Sequence, residues 1–288
     1  MAKIAHLILG HRQPKQLFRL VDKLIHPNAI VYIHIDKKVS IAPFQELISD
    51  SRQVKFIRSR TVITWGTYSM VQATLNSLQE ILQDYPSCEY VNLMSESDYP
   101  LKDAEAVDDF FDNQAGKSFM EMHFQDSPWW VEAQQKINKY HLVNYRFAGR
   151  YLLERCINAI SPRRTIPLGM VFTGRSQWWT LSVNHIRYIL DFVRKHPGVT
   201  HFFRHTWGPD EFFFQTILFN SSYRDEICND NLRYIEWEDG KVNPQLLTTG
   251  HLNRLVNSNK LYARKFDVDV DSHILDLLDL HRRRKEDL

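Results

Sequence analysis

The chain has 288 residues, 43% of them hydrophobic and 24% charged, enough to bury a sizeable core as one domain and unlike a disordered or fibrous composition. Lys and Arg total 36 against 34 acids, and the resulting net charge of +2 excludes a general polyanion-binding surface and gives no case for a nucleic-acid partner. Three scattered cysteines, Cys88, Cys156 and Cys228, lack metal-ligand spacing, so free thiols in a reducing compartment are expected.

Ile4 to Leu9 is an apolar run too short to span a membrane and has no small-residue cleavage site after it, so it reads as a first strand. Ala29 to Ile35 reads as a second, with Leu17, Leu20, Val21 and Leu24 at helical spacing between them. Polar residues stand just past each strand, His11 and Arg12, then Asp36, Lys37 and Lys38. That order points to a parallel sheet with its site at the strand ends. No Gly-x-Gly-x-x-Gly follows the first strand, which argues against a dinucleotide cofactor. Val54 to Ile57 is a third strand, and the loop Ile63-Thr64-Trp65-Gly66 leads to a helix striped by Val71, Leu75, Leu78 and Leu82. Tyr90 to Met94 is a fourth strand that runs into Ser95-Glu96-Ser97-Asp98-Tyr99-Pro100. Glu96 and Asp98 have the spacing of a two-carboxylate motif that holds a divalent metal on a diphosphate, with phosphates and water completing the shell. From the residues alone, metal-bound and metal-free readings both stand.

Phe119 to Phe124 alternates like a strand. From there to Pro167 the pattern loosens, with Lys136, Lys139, Tyr140, Tyr145, Arg146, Arg150, Tyr151, Arg163 and Arg164 intermixed. Such a segment is either an insert over an acceptor site, where sugar faces stack on aromatic rings, or an amphipathic helix pair with a solvated basic face. Gly174-Arg175-Ser176-Gln177-Trp178-Trp179 leads to a helix bearing Ile186, Ile189, Leu190 and Val193. Gly208-Pro209 starts a helix and puts Asp210 and Glu211 at its mouth. Carboxylates there either form a charged first turn that suits the positive end of the helix dipole or, beside Phe212, Phe213 and Phe214, are desolvated with a pKa lifted toward that of a general base. Leu232 to Trp237 is a strand. Asp267-Val268-Asp269-Val270-Asp271 lacks the glycine and glutamate of a calcium loop. The last helix carries Ile274, Leu277 and Leu278 and ends in Arg282 to Lys285, read as a solvated cationic terminus.

Several of these stretches match one family in order. Tyr32-Ile33-His34-Ile35-Asp36-Lys37, Thr64-Trp65-Gly66, Asn92 to Pro100, Ser176-Gln177-Trp178-Trp179, Pro209-Asp210-Glu211-Phe212-Phe213, Asn231 to Trp237 and Tyr262-Ala263-Arg264-Lys265-Phe266-Asp267 span nearly the whole chain. Together they resemble the Core-2/I-branching and peptide O-xylosyltransferase family of glycosyltransferases. The resemblance implies a GT-A-like α/β fold, a mixed, mostly parallel sheet flanked by helices, in a single domain 1–288. Residues 1–124 would form the nucleotide-binding half, and 125–288 the acceptor-binding and catalytic half.

It further implies inverting transfer of xylose or N-acetylglucosamine from a UDP-sugar to a glycan or peptide hydroxyl, without metal or other cofactor. Glu211 inherits the role of catalytic base, and Arg264 and Lys265 that of diphosphate clamp. Leu9, His11, Asp36, Lys38, Thr64, Trp65 and Gly66 inherit nucleotide contacts, while Asp98, Gln177 and Trp178 inherit acceptor contacts. His251 stands where an acid is more usual. Animal members carry an anchor and stem before the first strand. Their absence here points to a soluble, cytoplasmic, bacterial protein. A catalytically silent carbohydrate-binding protein on the same fold is the alternative; it would need neither Glu211 nor the Arg264-Lys265 pair.

Overall fold

A computed structural model describes residues 3–114, 116–145, 147–238 and 243–286, the last four by backbone alone. Arg146 and the side chains of Arg283, Arg284 and Lys285 lie outside the described residues. The strands are β1 (Ile4–Gly10), β2 (Ala29–Ile35), β3 (Val54–Phe56), β4 (Tyr90–Ser95), β5 (Asp98–Pro100), β6 (Ser118–His123), β7 (Gly174–Ser182), β8 (Ile227–Cys228), β9 (Arg233–Ile235) and β10 (Tyr262–Arg264).

Every residue of β1 and β2 is buried, as strands covered on both faces must be. β1 pairs in parallel with β2 and with β4, and β2 with β3. β7 runs antiparallel to both β4 and β6, and β6 pairs in parallel with β8. The order β3-β2-β1-β4-β7-β6-β8 is the expected mixed, mostly parallel sheet, and it draws strands from both sides of residue 124. A second sheet, β5-β10-β9, stands where the chain leaves β4.

Side chains alternate across β1, so Ala5, Leu7 and Leu9 enter one core while Ile4 and Ile8 enter the other. The first core is closed by helices Tyr68–Asp84, Val183–Lys195 and Phe213–Phe219. The second is closed by helices Pro14–Leu24, Ala104–Asp112 and His273–Glu286. Local chemistry fixes the starts: Pro14 opens the first helix without needing an amide partner, and Thr67 caps the helix after it by accepting from Ser69 N at 3.3 Å.

The structure departs from the sequence reading in three places. The segments containing Asp98, Gln177 with Trp178, and Arg264, to which the sequence assigned no element, are strands. Pro209–Glu211 forms a 3-10 turn, and the helix begins only at Phe213, because Phe212 leaves helical geometry. Arg282 is not a solvated end. Its side chain is buried and donates to the Pro100 carbonyl at 3.0 Å, since the last helix lies across β5.

Trp179 is fully buried on β7, paired with Leu93 of β4 and Met120 of β6. Trp179→Ala should therefore cost about 3–5 kcal/mol of stability, read from the urea unfolding midpoint. A loss within experimental error would contradict the placement of β7 at the centre of the sheet.

Candidate active site

The carboxyl ends of β1, β2 and β4 meet at one edge, where Gly10 stands opposite Ile35 and Leu9 opposite Ser95. The residues expected to contact a nucleotide gather here. Asp36 is buried, and its Oδ1 accepts from Lys38 N at 3.0 Å and Ile63 N at 3.2 Å. Its Oδ2 faces Lys38 Nζ at 3.4 Å. Asp36 thus ties the end of β2 to the loop carrying Thr64, Trp65 and Gly66. Leu9 is buried in the sheet, and only the residue's backbone edge stands at the strand ends, whereas His11 is open to solvent.

The Thr64-Trp65-Gly66 loop docks on the loop that carries Glu211. Trp65, 64% exposed, packs edge-on against Trp207 at 5.2 Å between ring centroids, and Gly208 N donates to Gly66 O at 2.9 Å. Gly66 has φ +71°, and a Cβ there would stand 3.3 Å from the Trp207 ring nitrogen. Glycine is required on both counts.

Glu96 and Asp98 do not form a paired carboxylate site. Glu96 is buried beneath the end of β1, where its Oε2 accepts from His11 N at 2.9 Å and Arg12 N at 3.1 Å, and its Oε1 faces His11 Nδ1 at 3.0 Å. Asp98 is fully buried on β5; its Oδ2 accepts from Ser95 N at 3.2 Å and its Oδ1 faces Arg264 Nη1 at 3.5 Å. Both Glu96 oxygens are thus turned to protein donors, while Asp98 Oδ1 makes no hydrogen bond and faces a guanidinium, a setting that does not fit a shared divalent cation.

Arg264 sits directly opposite Asp98 in the β5–β10 ladder and lies over the Trp178 ring at 4.3 Å. Its guanidinium is buried, yet Nε and Nη1 have no hydrogen-bond partner in the protein. Lys265 is half-buried beside it. Burial, then repulsion from Arg264 and Arg12, holds the Lys265 ammonium below its ordinary range. Two residues that sequence reasoning did not single out, Gln16 and Gln13, join Arg12 in stitching this strand to the sheet edge. Buried Gln16 donates to Glu96 O at 2.9 Å and Phe266 O at 3.1 Å, Arg12 reaches Asp267 at 2.6 Å, and Gln13 donates to Asp269 at 2.9 Å.

Glu211 lies on the other side of β7. Its Oε2 accepts from Lys136 Nζ at 3.0 Å, and Lys136 also pairs with Glu132 at 2.7 Å and lies over the Trp207 ring at 4.9 Å. Strand β7 joins the two ends of the site. Its first residue, Gly174, passes so close that a Cβ would lie 2.1 Å from the Glu211 carbonyl oxygen. Four residues later Trp178 meets Arg264. Between Arg175 and Trp179 the pairing with β6 slips, three β7 residues set against the single Glu121, so Gln177 and Trp178 lie on a bulge that aims them out of the ladder. Fully extended chain bounds the Gly174-to-Trp178 span at about 14 Å. A cavity of about 900 Å³ is walled by Trp65, Trp207, Lys136, which bonds Glu211, and, from the loose basic segment, Arg150 and Tyr151.

Every site residue expected from sequence is thus placed at one edge of the fold, in two clusters bridged by β7. Lys136 and Gly174 are the additions. Neither had a local signal: Lys136 stood unmarked among other basic residues, and Gly174 matters through a backbone contact far along the chain.

Residues 4–256 match the family model described as Core-2/I-Branching enzyme. Xylosyltransferase 2 of Canis lupus familiaris is 26% identical over 311 residues, covering 97% of this chain and 33% of its own length. Xylosyltransferase 1 of Homo sapiens is 27% identical over 251 residues, covering 82% of this chain and 24% of its own. The chain therefore spans about a third or less of the length of these relatives. The solved apo structure of mouse xyloside xylosyltransferase 1 overlaps 90% of this chain and 97% of its own, at 10% identity and a TM-score of 0.39. No helix among the described residues is long and apolar enough to cross a membrane.

The Asp210–Glu211 turn has the electrostatics of a strained carboxylate pair. Burial is the main force raising the Glu211 carboxyl, and Lys136 pulls it back. Burial, then the neighbouring Glu211 charge, pushes Asp210 up to about 7. Its folded value thus lies above that of an ordinary carboxylate, near 3.9. Such a group stabilises the fold below about pH 4, and the contribution is lost as pH rises through about 7. Asp210→Asn, neutral at every pH, should gain thermal stability relative to the native chain between about pH 5 and about pH 8. Thermal melts at the two pH values test this; parallel pH dependence of the two proteins would remove Asp210 as the titrating group.

Proposed function

The chain belongs to the Core-2/I-branching enzyme family, and from that premise we propose that it is a glycosyltransferase that moves a sugar from a UDP-sugar to a hydroxyl of a glycan or peptide. The relatives named as xylosyltransferases weigh toward xylose, with N-acetylglucosamine the other sugar the family suggests. The observation that carries the reading is the buried Arg264, whose Nε and Nη1 lack partners, next to half-buried Lys265. Leaving a buried cation's donors unmade is costly, and an anionic diphosphate is a group that would satisfy them.

In the proposed reaction Glu211 takes the proton of the acceptor hydroxyl. The oxygen attacks the anomeric carbon from the face opposite the diphosphate, the carbon–oxygen bond to the diphosphate breaks, and the configuration inverts. Negative charge then grows on the departing UDP, where Arg264 and Lys265 stabilise it electrostatically. No divalent metal is assigned this task, in keeping with the commitment of Glu96 to the amides of His11 and Arg12. Asp36, Lys38, Thr64 and the Trp65-Gly66 loop would hold the nucleotide, with Leu9 and His11 at the strand edge. Asp98 would act by orienting Arg264, and Gln177 and Trp178, on the bulge, would face the acceptor.

Glu211→Gln should lower turnover by about 10²–10⁴-fold while UDP affinity stays nearly native, whereas Lys265→Ala should weaken UDP binding about tenfold. Calorimetric UDP titration and donor turnover across a panel of UDP-sugars, with and without chelator, separate these effects. Native turnover in the Glu211 variant would remove it as base, and loss of turnover on chelation would overturn the metal-free reading.

Because the Lys136 charge favours the ionised form of Glu211, Lys136→Met should move the acid limb of the rate profile to higher pH. A rate that falls equally at all pH values would assign Lys136 to structure or binding instead.

A further inference from the structure

Helix Arg150–Ile160 is turned inside out. Its polar side is spent on the protein: Glu154 accepts from Leu142 N at 2.8 Å, and Asn158 both accepts from Tyr140 N and donates to Tyr140 O at 2.8 Å. The opposite side of the helix carries Leu152, Leu153, Cys156, Ala159 and Ile160 at positions i, i+1, i+4, i+7 and i+8, one apolar stripe. All five are exposed, Leu152 at 65% and Ile160 at 86%, and no residue of the helix is buried. A helix on a globular protein ordinarily turns this stripe inward.

The stripe lies in a segment rich in exposed apolar side chains. Of the 17 exposed large hydrophobic side chains among the described residues, nine fall between Val131 and Val171, including Phe147, Leu168 and Val171. Single exposed apolar residues are normal, whereas a contiguous group marks an interaction site. Charge concentrates in the same segment. Between residues 139 and 171 the sequence has six cations (Lys139, Arg146, Arg150, Arg155, Arg163 and Arg164) against the single acid Glu154, a net +5 in a chain whose total is +2. Arg164 is buried on carbonyl oxygens, but Lys139, Arg155 and Arg163 are exposed around the apolar stripe.

We propose that this face docks on the surface of an anionic lipid bilayer. Leu152, Leu153 and Ile160 enter the acyl boundary, and Lys139, Arg155 and Arg163 lie at the headgroups. Aliphatic side chains ringed by cations are the chemistry of interfacial binding. A second copy of the chain is disfavoured because two faces of this charge repel. Nucleic acid is disfavoured because its single strands are held by aromatic stacking, and the outward stripe is aliphatic. The same helix walls the cavity beside Glu211 through Arg150, Tyr151 and Glu154, so docking holds that cavity at the membrane.

Flotation of the full chain with vesicles tests the docking and needs no transfer activity, so its outcome is separate from that of the glycosyltransferase reading. Vesicles of phosphatidylcholine alone are compared with vesicles holding about one third phosphatidylglycerol, at low salt and at about 0.15 M salt. The native chain should float with the anionic vesicles, less so at the higher salt, and little with the neutral ones. Leu152→Ser combined with Ile160→Ser should cut partitioning about tenfold or more, with an unchanged melting temperature because both side chains are exposed. Arg155→Glu combined with Arg163→Glu should reduce binding to the level on neutral vesicles. Absence of flotation with anionic vesicles at low salt, or native partitioning by the double-serine variant, would overturn the proposal. So would sedimentation showing a dimer that this variant dissolves, or single-stranded DNA binding in place of vesicle binding.

Discussion

The carbonyl oxygen of Glu211 occupies the space that a side chain at position 174 would need. A Cβ on Gly174 would lie 2.1 Å from that oxygen and 2.9 Å from Phe212 Cα, and both obstacles are backbone that cannot rotate away. The contact fixes the turn bearing Glu211 against the start of β7. Phe212, Phe213 and Phe214, all buried in the core beneath, keep the turn from lifting off. At its other end β7 presents Trp178 to Arg264. A single strand therefore sets the separation between a carboxylate and a buried cation, and its bulge at Ser176 to Trp178 adjusts the direction in which the intervening side chains point.

The two ends of this strand have opposite electrostatic character, which the near-zero net charge of the chain conceals. Asp210, Glu211 and Glu132 surround Lys136 at one end. Arg264, Lys265 and Arg12 share Asp98 and Asp267 at the other. The charges that act on Glu211 are Lys136, Glu132 and Arg175, and those that act on Lys265 are Arg264, Arg12, Asp267 and Glu96, two sets with no member in common. Each end is thus tuned by its own contacts. Glu211 is set by burial against Lys136, and Lys265 by burial and two neighbouring cations. In the proposed reaction a proton would be accepted at one end and negative charge stabilised at the other, each by groups set by their own neighbours.

How much of this was legible in the sequence depended on how local its cause was. β2 was read to the residue, and β1 within one residue of its end, because buried parallel strands are unbroken apolar runs between polar flanks. The helix Tyr68–Asp84 was legible in its stripe of Val71, Leu75 and Leu78. β5 and β10 were not, because a three-residue strand has no periodicity and exists only through its partner far along the chain. β7 was hidden differently: its bulge breaks the alternation that marks a strand, at the residues that face the site. Glu211 and Arg264 were reached through motif resemblance supported by the desolvating phenylalanines. Lys136 and Gly174 were not reached at all, since an ion pair across 75 residues and a contact made by a missing side chain leave no local pattern.

Glu96 and Asp98 show what spacing alone left open. Two carboxylates a residue apart suggest shared ligation, but strand geometry sends neighbouring alternate positions into different surroundings once the chain turns from β4 into β5. The amides of His11 and Arg12, freed as β1 ends, need acceptors, and Glu96 supplies both. Gly10 makes room for it, since a Cβ there would come within 2.9 Å of Glu96 Oε2. Asp98, one turn further, is instead drawn to Arg264 across the second sheet. Gln16 then locks the two together by donating to Glu96 O and to Phe266 O, which joins the end of β1 to the strand that carries Arg264 and Lys265. Glu96 is therefore spent on the backbone amides at the end of β1, and Asp98 faces Arg264. In the proposed reaction Arg264 would meet the departing anion from a position already set by the β5–β10 ladder, which costs no reorganisation when the anion arrives.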